Sequence, residues 1–290
     1  METGAVYSES QVKIMNKMLL FSEPSELSIK ARNLYDMVSM GYNIPEFIVF
    51  TLSGKKDLEN KRKIEELYHN ILSFFMPFGD DIIIRPTLNV EDSATQSFAG
   101  ILHSSVVSLS SLTLEGFDNK ISESYEYVCT SNELQAYLNR SGPQIEINDK
   151  ICFIIQRFIN GSPSGVMFTV NPVNLCSEFI IESTLGLNVL VTGGQISPDR
   201  FYVDKKDFSK FRTVPGSKKR IAVWDGSKIQ CSDNTEASRL SLQAWQIEQL
   251  CTSAEQLEKH YGVPQDIEWI YSDRELFILQ TRAVSTWENK

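Results

Sequence analysis

Gln265-Asp266-Ile267-Glu268-Trp269-Ile270-Tyr271, then Ser272-Asp273-Arg274, then Glu275-Leu276-Phe277-Ile278-Leu279-Gln280-Thr281-Arg282, is the stretch that decides the fold. Both arms alternate polar with β-branched or aromatic residues, and a polar triplet joins them, so the spacing predicts strands over 266–271 and 275–281 in a hairpin. Strand side chains alternate faces. Asp266, Glu268 and Ile270 therefore share one face of the first strand, and Leu276, Ile278, Gln280 and Arg282 share one face of the second. A turn centred near Asp273 puts Glu268 roughly opposite Ile278 to Gln280. Two carboxylates, an amide oxygen and a guanidinium then cluster on one surface. Ile267, Trp269, Tyr271, Phe277 and Leu279 take the opposite faces and belong in a core. Carboxylate and amide oxygens are hard ligands that suit Mg²⁺, and an adjacent Arg suits phosphate oxygens. A solvated hairpin face with an Arg–carboxylate pair satisfies the same spacing and, on spacing alone, is the plainer reading.

Working outward, apolar periodicity predicts helices over 25–40, 57–75 (Asp57 as N-cap), 131–140 and 235–261, the last capped by Asp233 and stopped by Gly262 and Pro264. Strands are predicted over 47–52, 82–84, 151–158, 165–170, 179–183 and 200–204. The strand at Ile82-Ile83-Ile84 is expected to end at Arg85-Pro86. Residues 86–119, rich in Ser, Thr and Asn, read as a long mobile segment with short strands and as a candidate lid. This order of elements implies an α/β or α+β protein with mixed sheets.

Composition narrows the function classes. The 290 residues are 42% hydrophobic and 22% charged, which excludes a mostly disordered or collagen-like chain. The length fits two folding units or one two-lobed domain. Net charge is 28 − 37 = −9, a poor balance for general nucleic-acid binding. Lys218-Lys219-Arg220 follows Pro215-Gly216-Ser217 and reads as a solvated loop. Five cysteines, an odd number with no CxxC pair, argue against a disulfide framework and a zinc ribbon. With no signal-peptide core and no run of ~20 apolar residues, the expectation is a soluble cytoplasmic protein without a membrane partner. GxGxxG, Walker, GxSxG and HExxH patterns are absent, and His69, His103 and His260 have no triad or metal partners in the pattern.

Three further places could carry chemistry. Arg85 ends a buried strand beside a polar stretch and could hold an anion or form an ordinary salt bridge. Ser97-Phe98-Ala99-Gly100 is either a turn or a loop whose backbone N–H groups approach phosphates. Lys30, in the first predicted helix, has by spacing alone the ordinary reading of a solvated lysine.

Taken together, these segments resemble the N-terminal nucleotide-binding domain of the dikinase family, which includes pyruvate phosphate dikinase, phosphoenolpyruvate synthase, rifampin phosphotransferase and a glutamine kinase. The resemblance runs from about residue 27 to 286. It rests on Gln265-Asp266-Ile267-Glu268-Trp269 followed by Leu279-Gln280-Thr281-Arg282. Supporting matches are Gln156-Arg157-Phe158, Ser164-Gly165-Val166-Met167-Phe168-Thr169, Asn171-Pro172, Ile181-Glu182 with Leu185-Gly186-Leu187, Ser197-Pro198-Asp199-Arg200 with Tyr202, and Ser97-Phe98-Ala99-Gly100. The resemblance implies an ATP-grasp fold of two lobes over 1–290, closing on ATP. It implies ATP split to AMP and phosphate, with the β-phosphoryl group passed to a histidine on a swivelling phosphocarrier domain or partner protein and then to a small-molecule acceptor. Carried over by motif, Glu268 and Gln280 would bind Mg²⁺ with Asp266 in support, and Arg282, Arg85 and Lys30 would contact phosphates as catalytic residues. Gln156 would border the adenine pocket, and Gly100 and Glu182 would complete the nucleotide-binding set.

The sequence also departs from the family. Its Gly-Gly-Lys reads Ser28-Ile29-Lys30, its Ser-Ser-Ala-Thr-x-Glu-Asp reads Pro86-Thr87-Leu88-Asn89-Val90-Glu91-Asp92, and its Gly-Leu-Gly-Glu reads Gly186-Leu187-Asn188-Val189. Pro86 lacks the N–H that could meet a phosphate. The swivelling domain's Gly-Gly…Ser-His motif does not occur in these 290 residues, and the acceptor domain is expected to be absent as well. Two alternatives therefore stand beside the dikinase reading: a stand-alone ATP-grasp kinase or ligase that makes ADP, and a non-catalytic nucleotide-binding or interaction module.

Overall fold

A computed structural model of the chain describes residues 17–22, 27–88, 102, 104–132, 134 and 150–284. The chain divides into two units, Met1–Asn89 with Leu102–Phe158, and Val90–Ile101 with Ile159–Lys290. Both are mixtures of helix and sheet, so the α/β expectation holds.

The first unit is built on a five-stranded sheet in the order β1 (Met18–Leu20), β2 (Phe47–Ser53), β5 (Lys150–Arg157), β3 (Asp81–Thr87), β4 (Ser105–Ser108). β1 and β2 run parallel; the other pairs are antiparallel. β2 and β5 are buried residue after residue, the pattern of strands covered on both faces. Phe50 stacks on Phe153 across them, with ring centroids 5.2 Å apart. Helix α1 (Ile29–Ser39) is shorter than the predicted 25–40, because Ser28 caps it by accepting from the Ala31 N–H. The predicted helix over 57–75 is two, α2 (Lys55–Glu59) and α3 (Lys61–Phe75). Asn60, not Asp57, caps the longer one, its side chain accepting from Lys63 N, while Asp57 accepts from the Ser53 N–H at 2.7 Å.

Two more expectations change here. β3 does not stop at Arg85-Pro86 but runs through to Thr87. β4 pairs with it only as far as Ile84, so Pro86 lies where, among the described residues, that edge is open and a missing N–H is tolerated. Within the supposed mobile segment 86–119, a helix α4 (Leu114–Thr130) begins, capped by Thr113. Phe117, Ile121, Tyr125 and Val128 form its buried stripe, a helical spacing that the polar composition before it masked. Residues 89–101, including the Ser97–Gly100 match, His103, and most of the predicted helix 131–140 lie outside the described residues.

The second unit carries a six-stranded antiparallel sheet in the order β13 (Glu275–Ala283), β12 (Gln265–Ser272), β6 (Ser164–Phe168), β7 (Glu178–Thr184), β8 (Asp199–Asp204), β9 (Phe211–Val214). A hairpin of β10 (Arg220–Trp224) and β11 (Ile229–Asp233) and the single turn α5 (Val189–Thr192) complete its strands and short helices. Helix α6 runs Ala244–Tyr261, not 235–261. Asp233 ends β11 instead of capping the helix. The start is fixed at Gln243, whose N–H donates to Gln246 Oε1 at 2.9 Å, and Leu240 is left exposed. Gly262, in the left-handed conformation at φ 70°, ends it as expected. Ile247, Leu250, Cys251, Ala254 and Leu257 are its buried side. Tyr271 donates to the Gln249 side chain at 2.9 Å, so the Ile267–Trp269–Tyr271 face of β12 is the one that α6 covers. Burial, with Glu255 nearby, pushes the Cys251 thiol up to about 12, an unreactive packed cysteine.

The basic run is not wholly solvated. Lys218 is fully buried and its ammonium meets Asp199, also fully buried, at 2.5 Å. Asp199 further accepts from Gly216 N, Ser241 N and Ser241 Oγ at 2.7–2.8 Å, so its charge is paired and hydrogen-bonded throughout. Lys219 and Arg220 do lie exposed.

Glu46 plays a comparable part in the first unit. It is buried between Lys17, at 2.8 Å, and Arg157, at 2.5 Å, tying the entry to β1, the entry to β2 and the end of β5 together. Burial acts to raise its carboxyl, but the Lys17 hydrogen bond and the Arg157 and Lys17 charges outweigh it and hold the group below its ordinary 4.5. A depressed carboxyl stabilises the fold above its unfolded value and loses that contribution as pH falls through the folded value. Glu46→Gln is expected to cost about 2 kcal/mol near neutral pH. The deficit should shrink below pH 4.5, as read by urea unfolding against pH; a deficit independent of pH would contradict it.

Candidate nucleotide and metal site

Residues paired directly across an antiparallel sheet project to the same face. The second unit's register joins Gln280 to Glu268, Glu268 to Val166, Val166 to Glu182, and Glu182 to Arg200 in one row. The next row runs Arg282, Asp266, Phe168, Ile180, Tyr202, Arg212. Both rows face away from α6. The sheet thus collects every second-unit site residue expected from the sequence, Glu182, Asp266, Glu268, Gln280 and Arg282, on one surface.

Local chemistry fixes each of them. Asp273 and Arg274 both have positive φ, 50° and 67°, the two-residue turn that matches strand twist. From that turn Ser272 pairs with Glu275 and Trp269 with Ile278, and then the register slips by one, so that Glu268 pairs with Gln280. Leu279 is the extra residue of a β-bulge. The bulge corrects the predicted faces: Leu276 and Ile278 side with Tyr271 and Trp269, and Phe277 sides with Ile270. Leu279 is half-buried rather than in the core.

Arg282 reaches Asp266 Oδ2 with Nε at 2.9 Å and Nη2 at 2.8 Å, and both side chains are largely buried. Glu182 accepts from Arg200 Nε at 2.6 Å, and that hydrogen bond, with the Glu182 charge, holds the guanidinium above its ordinary value. Glu268 is half-buried, with Asn188 Nδ2 at 3.5 Å from Oε2. Gln280 is 6% exposed. An acid and an amide side by side, flanked by an oriented Arg, are the donors that a hard cation carrying phosphate needs. Sequence reasoning missed Arg212, whose guanidinium lies 3.9 Å over the Tyr202 ring. Only the register places it in this row.

The first unit holds the remaining described candidates. Arg85 pairs with Ile154 and Ile83 with Gln156, so Arg85 and Gln156 share a face. Arg85 Nη1 donates to Gln156 Oε1 at 3.2 Å. Gln156 is 2% exposed and its Nε2 is buried with no acceptor among the described residues, a donor arrangement that fits a ligand acceptor. Lys30 is half-buried in the first turn of α1. Gly100 lies outside the described residues.

The class these features define is a nucleotide-binding one, and the family follows. Residues 28–290 match the pyruvate phosphate dikinase AMP/ATP-binding domain family, and the chain belongs to it. It is an ATP-binding domain of the dikinase type. Phosphoenolpyruvate synthase of Pyrococcus furiosus is 30% identical over 145 residues, 46% of this chain and 18% of that protein. An uncharacterized phosphotransferase, YvkC, of Bacillus subtilis is 26% identical over 288 residues, 91% of this chain and 34% of that one. Rifampicin phosphotransferase of Bacillus cereus is 25% identical over 228 residues, 76% and 25% respectively. The chain therefore spans about a fifth to a third of the length of these relatives. Among solved structures, D-alanine–D-alanine ligase of Helicobacter pylori is similar at 12% identity and a TM-score of 0.38, covering 87% of this chain and 53% of the ligase. Among the described residues no helix is long and apolar enough to cross a membrane.

Gly165 sits in β6 beside the Glu268–Glu182 row, and a Cβ there would meet Glu182 O at 2.0 Å and Trp269 Cζ2 at 2.9 Å. Gly165→Ala is expected to destabilise by about 1–3 kcal/mol. Thermal unfolding indistinguishable from the parent would show that the row tolerates a wider strand spacing.

Proposed function

We propose that the chain is the MgATP-binding component of a dikinase-type phosphotransferase with an ATP-grasp fold. The observation that carries this reading is the pairing of Glu268 with Gln280, with Asp266 and Arg282 as the next rung. Glu268 and Gln280 would hold Mg²⁺, which when bound neutralises phosphate charge. Asp266 orients the Arg282 guanidinium, whose positive charge would meet phosphate oxygens. Arg85 and Lys30 add positive charge for the phosphates, and the Gln156 Nε2 donor meets an acceptor on the base. Glu182, held by Arg200, lines the same face as the metal pair. Phosphoryl transfer asks the protein mainly for positioning and charge stabilisation, and these residues offer both.

On this reading the products are AMP and phosphate, the β-phosphoryl group going to a histidine of a phosphocarrier domain or protein and then to a small-molecule acceptor. Val189 stands where the family motif has a carboxylate, and Asn188, in place of the motif's second glycine, lies near Glu268; this favours a second reading: a domain that binds nucleotide without turning it over.

Calorimetry with MgATP is expected to give saturable binding, weakened at least tenfold by Glu268→Ala, about 1.4 kcal/mol. With a histidine-bearing phosphocarrier supplied, AMP and phosphate should appear together. ADP as the sole product would overturn the dikinase reading. Binding without AMP would favour the second.

A further inference from the structure

The two exposed cations of the basic run, Lys219 and Arg220, lie outside the residues assigned to the nucleotide site. A cavity of about 460 Å³ opens on the second unit, lined among others by Gln195, Ser197, Arg200, Ser217, Lys219 and Arg220. Three of its lining side chains are cations and none is a carboxylate, in a chain whose net charge is −9. The carboxylates nearest in the fold are accounted for. Glu182 accepts from Arg200 Nε and so orients that guanidinium without using its two Nη groups. Asp233 stands opposite Arg220 across the β10–β11 ladder but makes no ion pair with it. Asp199 is enclosed by Lys218, Gly216 and Ser241. Burial of Lys218 on Asp199 pins residues 216–218 and so sets where Lys219 and Arg220 emerge.

We infer that this pocket binds a small phosphorylated metabolite through its phosphate group. Guanidinium and ammonium donors with hydroxyl and amide neighbours are the chemistry that grips phosphoryl oxygens. The volume falls in the ~300–1,000 Å³ range of small-molecule sites, more room than a lone phosphate needs. The pocket is separate from the metal pair: Arg200 is three strand spacings from Glu268, about 14 Å at ~4.8 Å per strand. It meets the residues of the nucleotide reading at the Arg200–Glu182 contact, while Lys219 and Arg220 lie outside that set.

Inorganic pyrophosphate, titrated calorimetrically into the protein with divalent ions chelated, is the probe. Saturable binding in the millimolar range or tighter is expected. Lys219→Glu/Arg220→Glu should weaken it at least tenfold, and Lys219→Gln/Arg220→Gln by less, with circular dichroism unchanged. Glu268→Ala should leave pyrophosphate affinity intact while weakening MgATP, and the charge-reversal variant should do the converse. No saturable pyrophosphate binding, equal binding of citrate, or pyrophosphate affinity lost in Glu268→Ala but kept in the charge-reversal variant would overturn the inference. Failure of MgATP to bind, with pyrophosphate binding retained, would count against the nucleotide reading alone.

Discussion

The one-residue slip between β12 and β13 decides what this protein's second unit presents on its surface. Continued from the Asp273–Arg274 turn without a bulge, the register would set Leu279 against Glu268 and Thr281 against Asp266. Absorbing Leu279 as an extra residue brings amide to carboxylate at Glu268–Gln280 and guanidinium to carboxylate at Asp266–Arg282. Because side chains alternate with a period of two, the slip also lets Leu276 and Ile278 share the face of Tyr271 and Trp269 that α6 covers while Gln280 and Arg282, two and four residues further on, face the site. One local irregularity thus serves both core and site.

The rest of the second unit extends that arrangement. Antiparallel pairing through β6 and β7 carries the row to Glu182 and Arg200, and Gly165 lets the backbones of the site strands approach closely. Charges on this face are held in pairs. Asp266 with Arg282 and Glu182 with Arg200 limit the desolvation cost of gathering like charges on one surface, and Glu268 stands beside Gln280 in the same row. The first unit uses the same device at Glu46, where two cations hold one buried carboxylate.

Much of this was legible in the sequence because strand alternation is local. The hairpin at 265–282, the face shared by Asp266 and Glu268, and the Gly262 helix stop all follow from period and turn chemistry. What stayed hidden depended on tertiary partners. The bulge at Leu279 has no glycine to announce it. Lys218 reads as solvated until Asp199, 19 residues earlier, is seen to bury it. Arg212 enters the site row only through the register of β8 with β9. Pro86 sits inside a strand because β4 stops short, a fact of pairing rather than of propensity. Helix α4 is written in the helical spacing of Phe117, Ile121, Tyr125 and Val128, while the polar composition just before it points to a loop.

We propose that Glu268 and Gln280 act together on one bound cation. A double-mutant cycle tests it most directly, using MgATP affinity by calorimetry for the parent, Glu268→Ala, Gln280→Ala and the double variant. Shared ligands lose their joint function with the first substitution, so the double variant should bind more tightly than the sum of single losses requires, with a coupling of about 1 kcal/mol or more. Additive losses, or full affinity in either single variant, would contradict the account.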